Sequence, residues 1–309
     1  MKKLGMIWIV FSLMFTIYGS ALAEETLITD FSSWYINSQG DAIYDYTTKP
    51  GTIYLNVGVG LVYIGKIIPK VRGVKATINI SEAYVPTRTG ILQSVATLNG
   101  IRIKGYIYLD KQGDKNTIKW TVFYKYPDGS EGPVQGESTG VLGTWAPGFD
   151  STISVVLVGN EIWFSDGLNT VRWQPPVNST MTPIDSWTEL FTHTWYGGQM
   201  YATVTEVYTI VPTIETLLIF FDQSVADARL IGDGKTPQAS EGKLNASKNM
   251  ILNAQDLIAA GNNTEACIQL ADAYGKTDGQ PNPPDTVIGA AAPGLATMIE
   301  DLRKNLQCP

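Results

Sequence analysis

The sequence is poor in the residues on which many catalytic and metal sites depend. Its 309 residues include two cysteines and one histidine, His193. A catalytic zinc site takes three protein ligands and a structural one takes four, and a serine or cysteine hydrolase needs a base beside its nucleophile. A Gly-x-Ser-x-Gly string occurs at 136-GESTG-140, but no helix of the predicted pattern follows it, as the strand-turn-helix nucleophile elbow requires. We therefore expect His193 to be a strand or turn residue rather than a reaction centre.

Basic residues are also scarce. The chain has 22 Lys and Arg against 29 Asp and Glu, a formal net charge of −7. The first 23 residues hold Lys2 and Lys3 and no acid, so their removal would leave 20 basic against 29 acidic residues, a net charge of −9. Because nucleic-acid binding depends on basic patches that neutralise phosphate, we do not expect a nucleic acid as partner.

Long hydrophobic runs are missing beyond the N-terminus. Lys2 and Lys3 precede an apolar run over residues 4–18, and 21-ALA-23 supplies the small-x-small pattern that a signal peptidase reads. The run is short for a transmembrane helix, and no cysteine follows it to accept a lipid. We predict a signal peptide over residues 1–23, no transmembrane segment after its cleavage, and export to the periplasm or the extracellular space.

The character of the mature chain changes near Pro212, which predicts two domains. Residues 24–212 are dense in Val, Ile, Thr, Tyr and Trp with frequent Gly turns, a composition typical of strands. Residues 213–309 carry Ala, Leu, Asn and Asp at helical spacing. The first part has no helix long enough for a parallel crossover, so its sheets should be antiparallel.

Alternation identifies a hairpin in the first part. A turn at 112-QGD-114 joins 101-IRIKGYIYLD-110 to 118-IKWTVFYKY-126. One face of the hairpin should be buried through its isoleucines, Leu109, Trp120 and Val122. The segment 74-VKATINIS-81 alternates in the same way and predicts another half-buried strand.

These strands resemble the concanavalin A-like jelly rolls, the lectin and glucanase sandwiches. The resemblance is carried by 28-ITDFSSWYI-36, the hairpin, 158-VGNEIWFSDG-167 and 202-ATVTEVYTI-210, and it covers roughly residues 24–211. It implies an all-β antiparallel jelly-roll sandwich. The family includes sugar binders, glycoside hydrolases, lyases and modules without a known ligand, so the fold does not choose a function. It also allows a structural calcium ion, but no residues in the sequence mark one, and no cofactor is expected.

Paired carboxylates would indicate an enzyme, because glycoside hydrolases place two of them across the scissile bond. The glucanase branch carries a Glu-x-Asp-x-Glu type cluster on one strand, and this sequence has no such cluster. The remaining candidates are Glu161 and Glu206. Alternation places Glu206 on the same strand face as Val204 and Tyr208, where it is either functional or a paired structural carboxylate. A non-catalytic protein is favoured, with an unrecognised carbohydrate-active enzyme as the third alternative.

A glycan-binding platform is the favoured functional hypothesis. The solvent face of the hairpin interleaves aromatic rings, which stack on sugars, with cations that can meet acidic groups on a polymer. The predicted ligand-binding residues are Arg102, Lys104, Tyr106, Tyr108, Phe123 and Lys125, with Trp195 and Tyr196 at the rim. The alternative is that these side chains pack under loops or only stabilise the sheet. An exported polysaccharide or glycoconjugate binder is thus expected, and a structural or adhesive surface component without a small ligand is the second alternative.

The second part predicts a small all-α bundle. Helices are expected from Thr213, as N-cap, to Gly232; up to Gly261; after Asn262-Asn263; and before Cys308. Cys267 and Cys308 are an even pair in an exported chain, which favours a disulfide closing about 42 residues and contributing roughly 4 kcal/mol. Two independent thiols are the alternative, whereas two cysteines alone leave zinc half-coordinated.

This second part resembles helical modules at the C-termini of some exported bacterial and archaeal proteins. The resemblance is carried by 244-LNASKNMI-251, 266-ACIQLADAYGKTDG-279, 283-PPD-285 and 302-LRKNLQC-308. It implies an accessory role such as spacing, attachment or contact with a cell-surface protein, and no catalytic residue carries over. A tail that only stabilises its neighbour is the alternative.

Overall fold

A computed structural model describes residues 23–69, 71–84, 86–134, 138–176, 179, 181–195, 198–280 and 284–309. The described chain forms two compact units, one over Glu25–Val211 and one over Pro212–Pro309. The predicted signal peptide falls outside the described residues except for Ala23. The first unit consists of antiparallel strands and the second is mainly helical, which confirms the predicted fold class.

The strands of the first unit form one continuous antiparallel ladder in the order β12-β11-β10-β4-β14-β3-β13-β5-β6-β7-β8, with β1 beside β14, β2 beside β3 and β9 beside β7. Their bounds are β1 Ala23–Leu27, β2 Tyr35–Asp45, β3 Ile53–Ile68, β4 Gly73–Tyr84, β5 Thr87–Leu98, β6 Ile101–Gln112, β7 Lys115–Lys125, β8 Glu131–Pro133, β9 Thr139–Thr144, β10 Asp150–Val158, β11 Glu161–Ser165, β12 Thr170–Trp173, β13 Met181–Thr194 and β14 Gln199–Pro212.

The ladder folds into two layers through the long strand β3. Its first part, Ile53 to Val57, pairs with β14, and its second part, Gly60 to Ile68, pairs with β13. Strands distant in the ladder therefore meet face to face. Trp120 of β7 stacks on Phe164 of β11 with ring centroids 5.3 Å apart. The apolar core between the layers holds the inward side chains of both, which is the arrangement of a β-sandwich.

The hairpin of β6 and β7 forms around the predicted turn, with Gln112 paired with Lys115. Its inner face is buried as alternation requires, through Ile103, Ile107, Leu109, Ile118, Trp120 and Val122. A chain whose apolar side chains recur at every second position can bury them only on one face of a strand. The opposite face of this hairpin contributes to the candidate site.

A ladder of hydroxyl and amide groups lies on the buried face between β5 and β13. Thr188 Oγ1 donates to Gln93 Oε1 over 2.8 Å, and the Gln93 amide donates to Ser186 Oγ. Farther along, the Thr89 and Thr192 hydroxyls are 2.8 Å apart. Buried polar groups are tolerated where they bond to one another. The inward face of β13 is therefore largely polar, and its apolar contributions to the core are Met181 and Leu190.

The second unit contains helices α1 Ile214–Ala226, α2 Pro237–Ala259, α3 Asn263–Tyr274 and α4 Ala292–Asn305, with short strands β15 Ile231–Gly232 and β16 Val287–Ile288 paired antiparallel. Thr213 caps α1 as predicted. The prediction that α1 extends to Gly232 is wrong, because Ala228 takes a positive φ of 55° that ends the helix and Gly232 pairs with Val287 instead.

The predicted disulfide is confirmed. Cys267 on α3 is bonded to Cys308, which follows α4, with Cα atoms 5.5 Å apart and a sequence separation of 41. The bond ties the C-terminal residues to a helix whose inward side is buried through Ala266, Leu270 and Ala273. Among the residues that the structure describes, no helix is both long and apolar enough to cross a membrane.

Candidate functional site

Polar and aromatic side chains converge on the outer face of the layer formed by β3, β13, β5, β6, β7 and β8. Cross-strand partners on one face lie directly side by side. Phe191 is in register with Tyr63 and Gly90, and Glu189 is in register with Leu92. We call this surface the front face. Its members are Leu61, Tyr63, Gly65, Arg88, Gly90, Leu92, Arg102, Lys104, Tyr106, Tyr108, Asp110, Lys119, Phe123, Lys125, Glu131, Trp187, Glu189, Phe191 and His193.

An aromatic cluster occupies the centre of the front face. Phe191 lies at its middle, with ring centroids 5.9 Å from Tyr106, 6.3 Å from Tyr108 and 6.4 Å from Tyr63. Phe123 contacts Tyr106 edge to face at 5.6 Å. Phe191 and Tyr108 are buried, whereas Tyr63, Tyr106, Phe123 and Trp187 keep part of their surface in solvent. The cluster thus has a packed floor and an accessible rim of rings.

Glu131 lies at one side of this cluster and is held in its charged form. Lys104 Nζ is 2.9 Å from Glu131 Oε1, Lys125 Nζ is 3.6 Å from the same oxygen, and the Tyr106 hydroxyl donates to Glu131 Oε2 over 3.2 Å. Burial acts to raise the pKa of Glu131, but the hydrogen bond and charge of Lys104, together with Lys125 and Tyr106, outweigh it and lower the pKa. Glu131 is therefore a carboxylate at neutral pH.

Glu189 has the opposite character. It is buried, and its Oε2 accepts a hydrogen bond from the Trp187 indole nitrogen over 2.9 Å. Burial raises the pKa of Glu189, and the negative charge of Glu131 adds to this, against the opposing effects of the Trp187 hydrogen bond and of Lys104 and Lys125. Among the residues that the structure describes, Glu189 Oε1 has no hydrogen-bond partner, whereas Oε2 has the Trp187 indole.

The two glutamates therefore form a pair with divergent proton affinities on one sheet face. Both carboxylates also act on the neighbouring tyrosines. Burial raises the pKa of Tyr106 and of Tyr63 most, and the negative charges of Glu131 and Glu189 raise these pKa values further. Environments that separate the pKa values of two nearby carboxyl groups are how enzymes obtain one acid and one base from the same residue type. The front face thus combines aromatic surface with two carboxyl groups whose pKa values are shifted in opposite directions.

A second charged group lies on the front face beyond Phe191. The buried carboxylate of Asp110 contacts Arg88 Nε at 3.1 Å and Lys119 Nζ at 2.6 Å. The Arg88 guanidinium also lies over the rings of Trp195, at 4.8 Å, and of Tyr108, at 5.3 Å. His193 is a strand residue, as predicted, and its ring centroid is 3.7 Å from that of Trp195. Burial, followed by the charge of Arg88, lowers the pKa of His193.

Gly65 determines where Trp187 lies. A Cβ built at Gly65 would be 2.8 Å from Trp187 Cζ2 and 3.2 Å from the Thr188 carbonyl oxygen. We expect Gly65→Val to displace the indole from Glu189 and to cost about 1–3 kcal/mol of folding stability through overpacking. The measurement is urea unfolding of Gly65→Val, Trp187→Ala and the double variant. The explanation is contradicted if the cost of Gly65→Val is the same in the Trp187→Ala background, because that cost requires the indole.

The structure brings most of the predicted ligand-binding residues together. Lys104, Lys125 and Tyr106 lie around Glu131, and Phe123 contacts the Tyr106 ring. Arg102 is exposed and is the cross-strand partner of Lys125. Tyr108 also lies on the front face, but it is buried under Phe191 and serves as floor rather than contact surface. Trp195 contacts the His193 ring and lies beneath the Arg88 guanidinium; its predicted contact with a ligand stays a prediction. Tyr196 lies outside the described residues.

The two catalytic candidates from the sequence lie elsewhere. The prediction that Glu206 shares a face with apolar neighbours is wrong, because the register of β14 shifts between Thr205 and Tyr208 and Glu206 takes a φ of 50°. This β-bulge turns Glu206 into solvent, where it accepts a hydrogen bond from Thr77 Oγ1 over 2.9 Å, and Val207 takes the core position. Glu161 belongs to β11 in the other layer, is buried, and accepts a hydrogen bond from Trp163 Nε1 over 2.8 Å.

The sequence reasoning missed Glu189, Glu131 and Trp187. A signal for two of them exists, because Trp187, Glu189, Phe191 and His193 occupy every second position of β13. Glu131 belongs to a three-residue strand, which gives no detectable alternation. Among the residues that the structure describes, no three His, Cys, Asp or Glu side chains are grouped so as to hold a metal ion.

Solved structures similar to this chain include several that act on polysaccharides. A κ-carrageenase from Pseudoalteromonas carrageenovora, in complex with an oligotetrasaccharide of κ-carrageenan, is 9% identical, with a TM-score of 0.41 over 63% of this chain and 94% of its own. An alginate lyase from Alteromonas sp. 272 is 14% identical, with a TM-score of 0.34 over 58% and 95%. A β-glucanase from Bacillus licheniformis is 14% identical, with a TM-score of 0.36 over 63% and 100%.

At these identities and TM-scores, however, the similar structures assign neither ligand nor reaction to this chain. No protein-family model and no curated protein matches the sequence. The resemblance of the C-terminal unit to helical modules of exported proteins stays a prediction.

Proposed function

We propose that the protein binds an acidic polysaccharide on the front face. The observation that carries this proposal is the row of partly exposed rings, Trp187, Tyr106 and Phe123, with Arg102 beside it. Arg102 is exposed, and its side chain has no hydrogen bond or ion pair with any residue that the structure describes. Ring faces supply apolar contact to a sugar, and a guanidinium supplies two parallel hydrogen bonds to a carboxylate or sulfate.

The cations nearby support an acidic rather than a neutral ligand. Lys125 shares its partner Glu131 with the closer Lys104, so part of its charge can act on a ligand. Arg88 is accessible at the other end of the face while remaining bonded to Asp110. A negatively charged polymer that follows the row of rings would meet positive charge at both ends. Its electrostatic contribution should decrease with added salt.

The test is affinity electrophoresis of the mature chain in gels containing alginate, polygalacturonate, κ-carrageenan or chondroitin sulfate. We expect retardation of the wild type in at least one gel and at least a tenfold weaker affinity for Trp187→Ala/Phe123→Ala, because both stacking surfaces are lost. Arg102→Gln should weaken binding most at low salt.

Phe149→Ala is the matched control, since Phe149 is 72% exposed and lies outside the front face. Its mobility should equal that of the wild type in every gel. Absence of retardation in all four acidic gels contradicts the proposal. So does a Trp187→Ala/Phe123→Ala variant that is retarded as strongly as the wild type, provided that near-ultraviolet circular dichroism shows an intact fold.

A second candidate function is cleavage of the bound glycan, and the Glu189–Glu131 pair favours it. Glu189, the carboxyl group with the raised pKa, would be the acid that donates a proton to the leaving glycosidic oxygen as the bond from that oxygen to the anomeric carbon breaks. Glu131, ionised through its lowered pKa, would accept a proton from the water whose oxygen bonds to the same carbon. Tyr106 and Lys104 would orient Glu131 for this step.

We also propose that the protein acts outside the cytoplasm. The Cys267–Cys308 disulfide supports this proposal, because such bonds persist in oxidising compartments. An external location would bring the front face to extracellular polysaccharides. A cell-surface protein as partner of the helical unit remains part of the proposal.

A further inference from the structure

A separate groove opens on the outer face of the other layer. It has a volume of about 270 Å³ and is lined by Ile43, Asp45, Tyr54, Leu55, Asn56, Ser81, Tyr201, Ala202 and Thr203. We call it the back groove. The register explains why these residues meet: Asn56 is paired with Ile43 and with Tyr201, and Tyr54 is paired with Asp45 and with Thr203. Two cross-strand rows on one face therefore form its floor.

Apolar surface and free polar groups alternate in the back groove. Ile43 is 66% exposed and Tyr54 is 38% exposed, although both are large and apolar. The side chains of Asn56 and Thr203, and the Tyr54 hydroxyl, make no hydrogen bond within the part of the chain that the structure describes. The Tyr201 hydroxyl accepts a hydrogen bond from Gln199 over 2.6 Å and keeps its own proton to donate. The groove thus offers donors and acceptors beside a ring face.

The charge of the back groove disfavours an acidic ligand. Its lining contains no Lys or Arg and one carboxylate, Asp45. Hydrogen bonds from the Thr48 hydroxyl, and then from Thr47, lower the pKa of Asp45 to about 2, so it stays negative. An anionic polymer would be repelled, whereas a neutral sugar can use the hydroxyl and amide groups. At about 270 Å³ the groove is smaller than the usual small-molecule site of about 300 to 1,000 Å³, so the unit it would hold is short, one or two rings.

We propose that the back groove is a second glycan-binding site, specific for neutral sugars and independent of the front face. Tyr54 supplies the ring on which the sugar stacks. Asn56 and Thr203 bond its hydroxyl groups. The two layers of one sandwich then bind glycans of different charge.

The experiment measures retardation of the mature chain in native gels containing dextran, mannan, laminarin or arabinogalactan. We expect retardation of the wild type in at least one gel, and a dissociation constant at least fivefold higher for Tyr54→Ala and for Asn56→Ala. Asn56→Ala removes only a solvent-facing amide. It therefore tests the groove independently if Tyr54→Ala fails to fold. Tyr84→Ala is the matched control, because Tyr84 is 56% exposed on the same layer but outside the groove lining.

The front-face variant Trp187→Ala/Phe123→Ala separates the two sites. It should keep the full neutral-glycan retardation while losing acidic-glycan retardation, and Tyr54→Ala should do the reverse. The inference is overturned if no neutral glycan retards the wild type, if Tyr54→Ala and Asn56→Ala both migrate as the wild type does, or if the front-face variant alone abolishes neutral-glycan retardation. None of these three results decides whether the front face binds acidic glycans.

Discussion

Replacement of Glu189 by glutamine is expected to lower glycan cleavage by about 10²–10⁴-fold while leaving glycan binding within about twofold, because a positioned general acid contributes that much to rate. Glutamine keeps the oxygen that accepts the Trp187 hydrogen bond and loses only the transferable proton. The measurement is release of reducing ends from whichever acidic polysaccharide retards the wild type. Glu82→Gln, an exposed glutamate on β4, is the control.

The pH dependence of cleavage follows from the same two carboxyl groups. The rate should fall as pH rises through the raised pKa of Glu189, because the donor loses its proton, and fall again as pH drops through the lowered pKa of Glu131, because the acceptor gains one. A Glu189→Gln variant that cleaves as fast as the wild type contradicts the role of Glu189. A wild type that binds but cleaves none of the retarding polysaccharides leaves the front face as a binding site alone.

Stability gives an independent measure of the Glu189 environment. A carboxyl group whose pKa is raised by folding favours the folded state below its unfolded pKa, and this contribution is lost as pH rises through the folded pKa. Glu189→Gln should therefore unfold like the wild type near about pH 3 and be more stable near about pH 8, by roughly 1.4 kcal/mol for each unit by which the pKa is raised. If Glu189→Gln and the wild type have the same urea midpoint as each other at the high pH as well as at the low pH, the pKa of Glu189 is not raised by folding.

Loss of the disulfide has the second large expected effect. Cys267→Ala/Cys308→Ala should lower the free energy of unfolding of the helical unit by about 4 kcal/mol, because the bond closes a long loop and restricts the unfolded chain. Alanine is preferable to serine here because Cys267 is buried. The midpoint of thermal unfolding at 222 nm, where helices dominate the circular dichroism signal, should decrease accordingly.

Tryptophan fluorescence can follow the unfolding of the sandwich separately from that of the helical unit. Seven of the eight tryptophans lie between residues 24 and 212 and the eighth is Trp8, in the predicted signal peptide, so the helical unit contains none. Tryptophan fluorescence of the mature chain therefore reports on the sandwich alone. An unchanged 222 nm transition in the double variant would contradict the expected stabilisation. Addition of a reductant to the wild type should reproduce the effect of the substitutions.

The sequence predicts the parts of the fold in which one periodicity dominates. The β6–β7 hairpin alternates apolar and polar residues around a turn, so its turn and its inner face could be predicted. The disulfide could be predicted because the chain offers one pairing of its two cysteines. The end of α1 could not, because Ala228 adopts a positive φ that no local sequence signal requires.

The candidate site is harder to predict for a physical reason. On β13 the inward residues Ser186, Thr188, Thr192 and Thr194 are polar, while the outward ones include Trp187 and Phe191, so hydropathy assigns the faces the wrong way round. The buried partners that make this possible, such as Gln93, come from β5, about 95 residues earlier in the chain. The prediction for Glu206 was wrong for a different reason. The alternation of its strand is clear, but a β-bulge shifts the register and moves Glu206 to the other face.

The hydroxyl and amide ladder beneath β13 has a consequence for how the front face can vary. Apolar side chains tolerate sliding past one another, but hydrogen bonds are directional, and a slip of one residue would turn Trp187 and Glu189 inward and leave Gln93 unpaired. The register of β5 against β13 is therefore determined by the buried polar side chains of the two strands. Residues on the solvent-facing side of β13 can therefore be substituted without a change in strand register. Ligand preference can then diverge, or be redesigned, while the backbone stays the same.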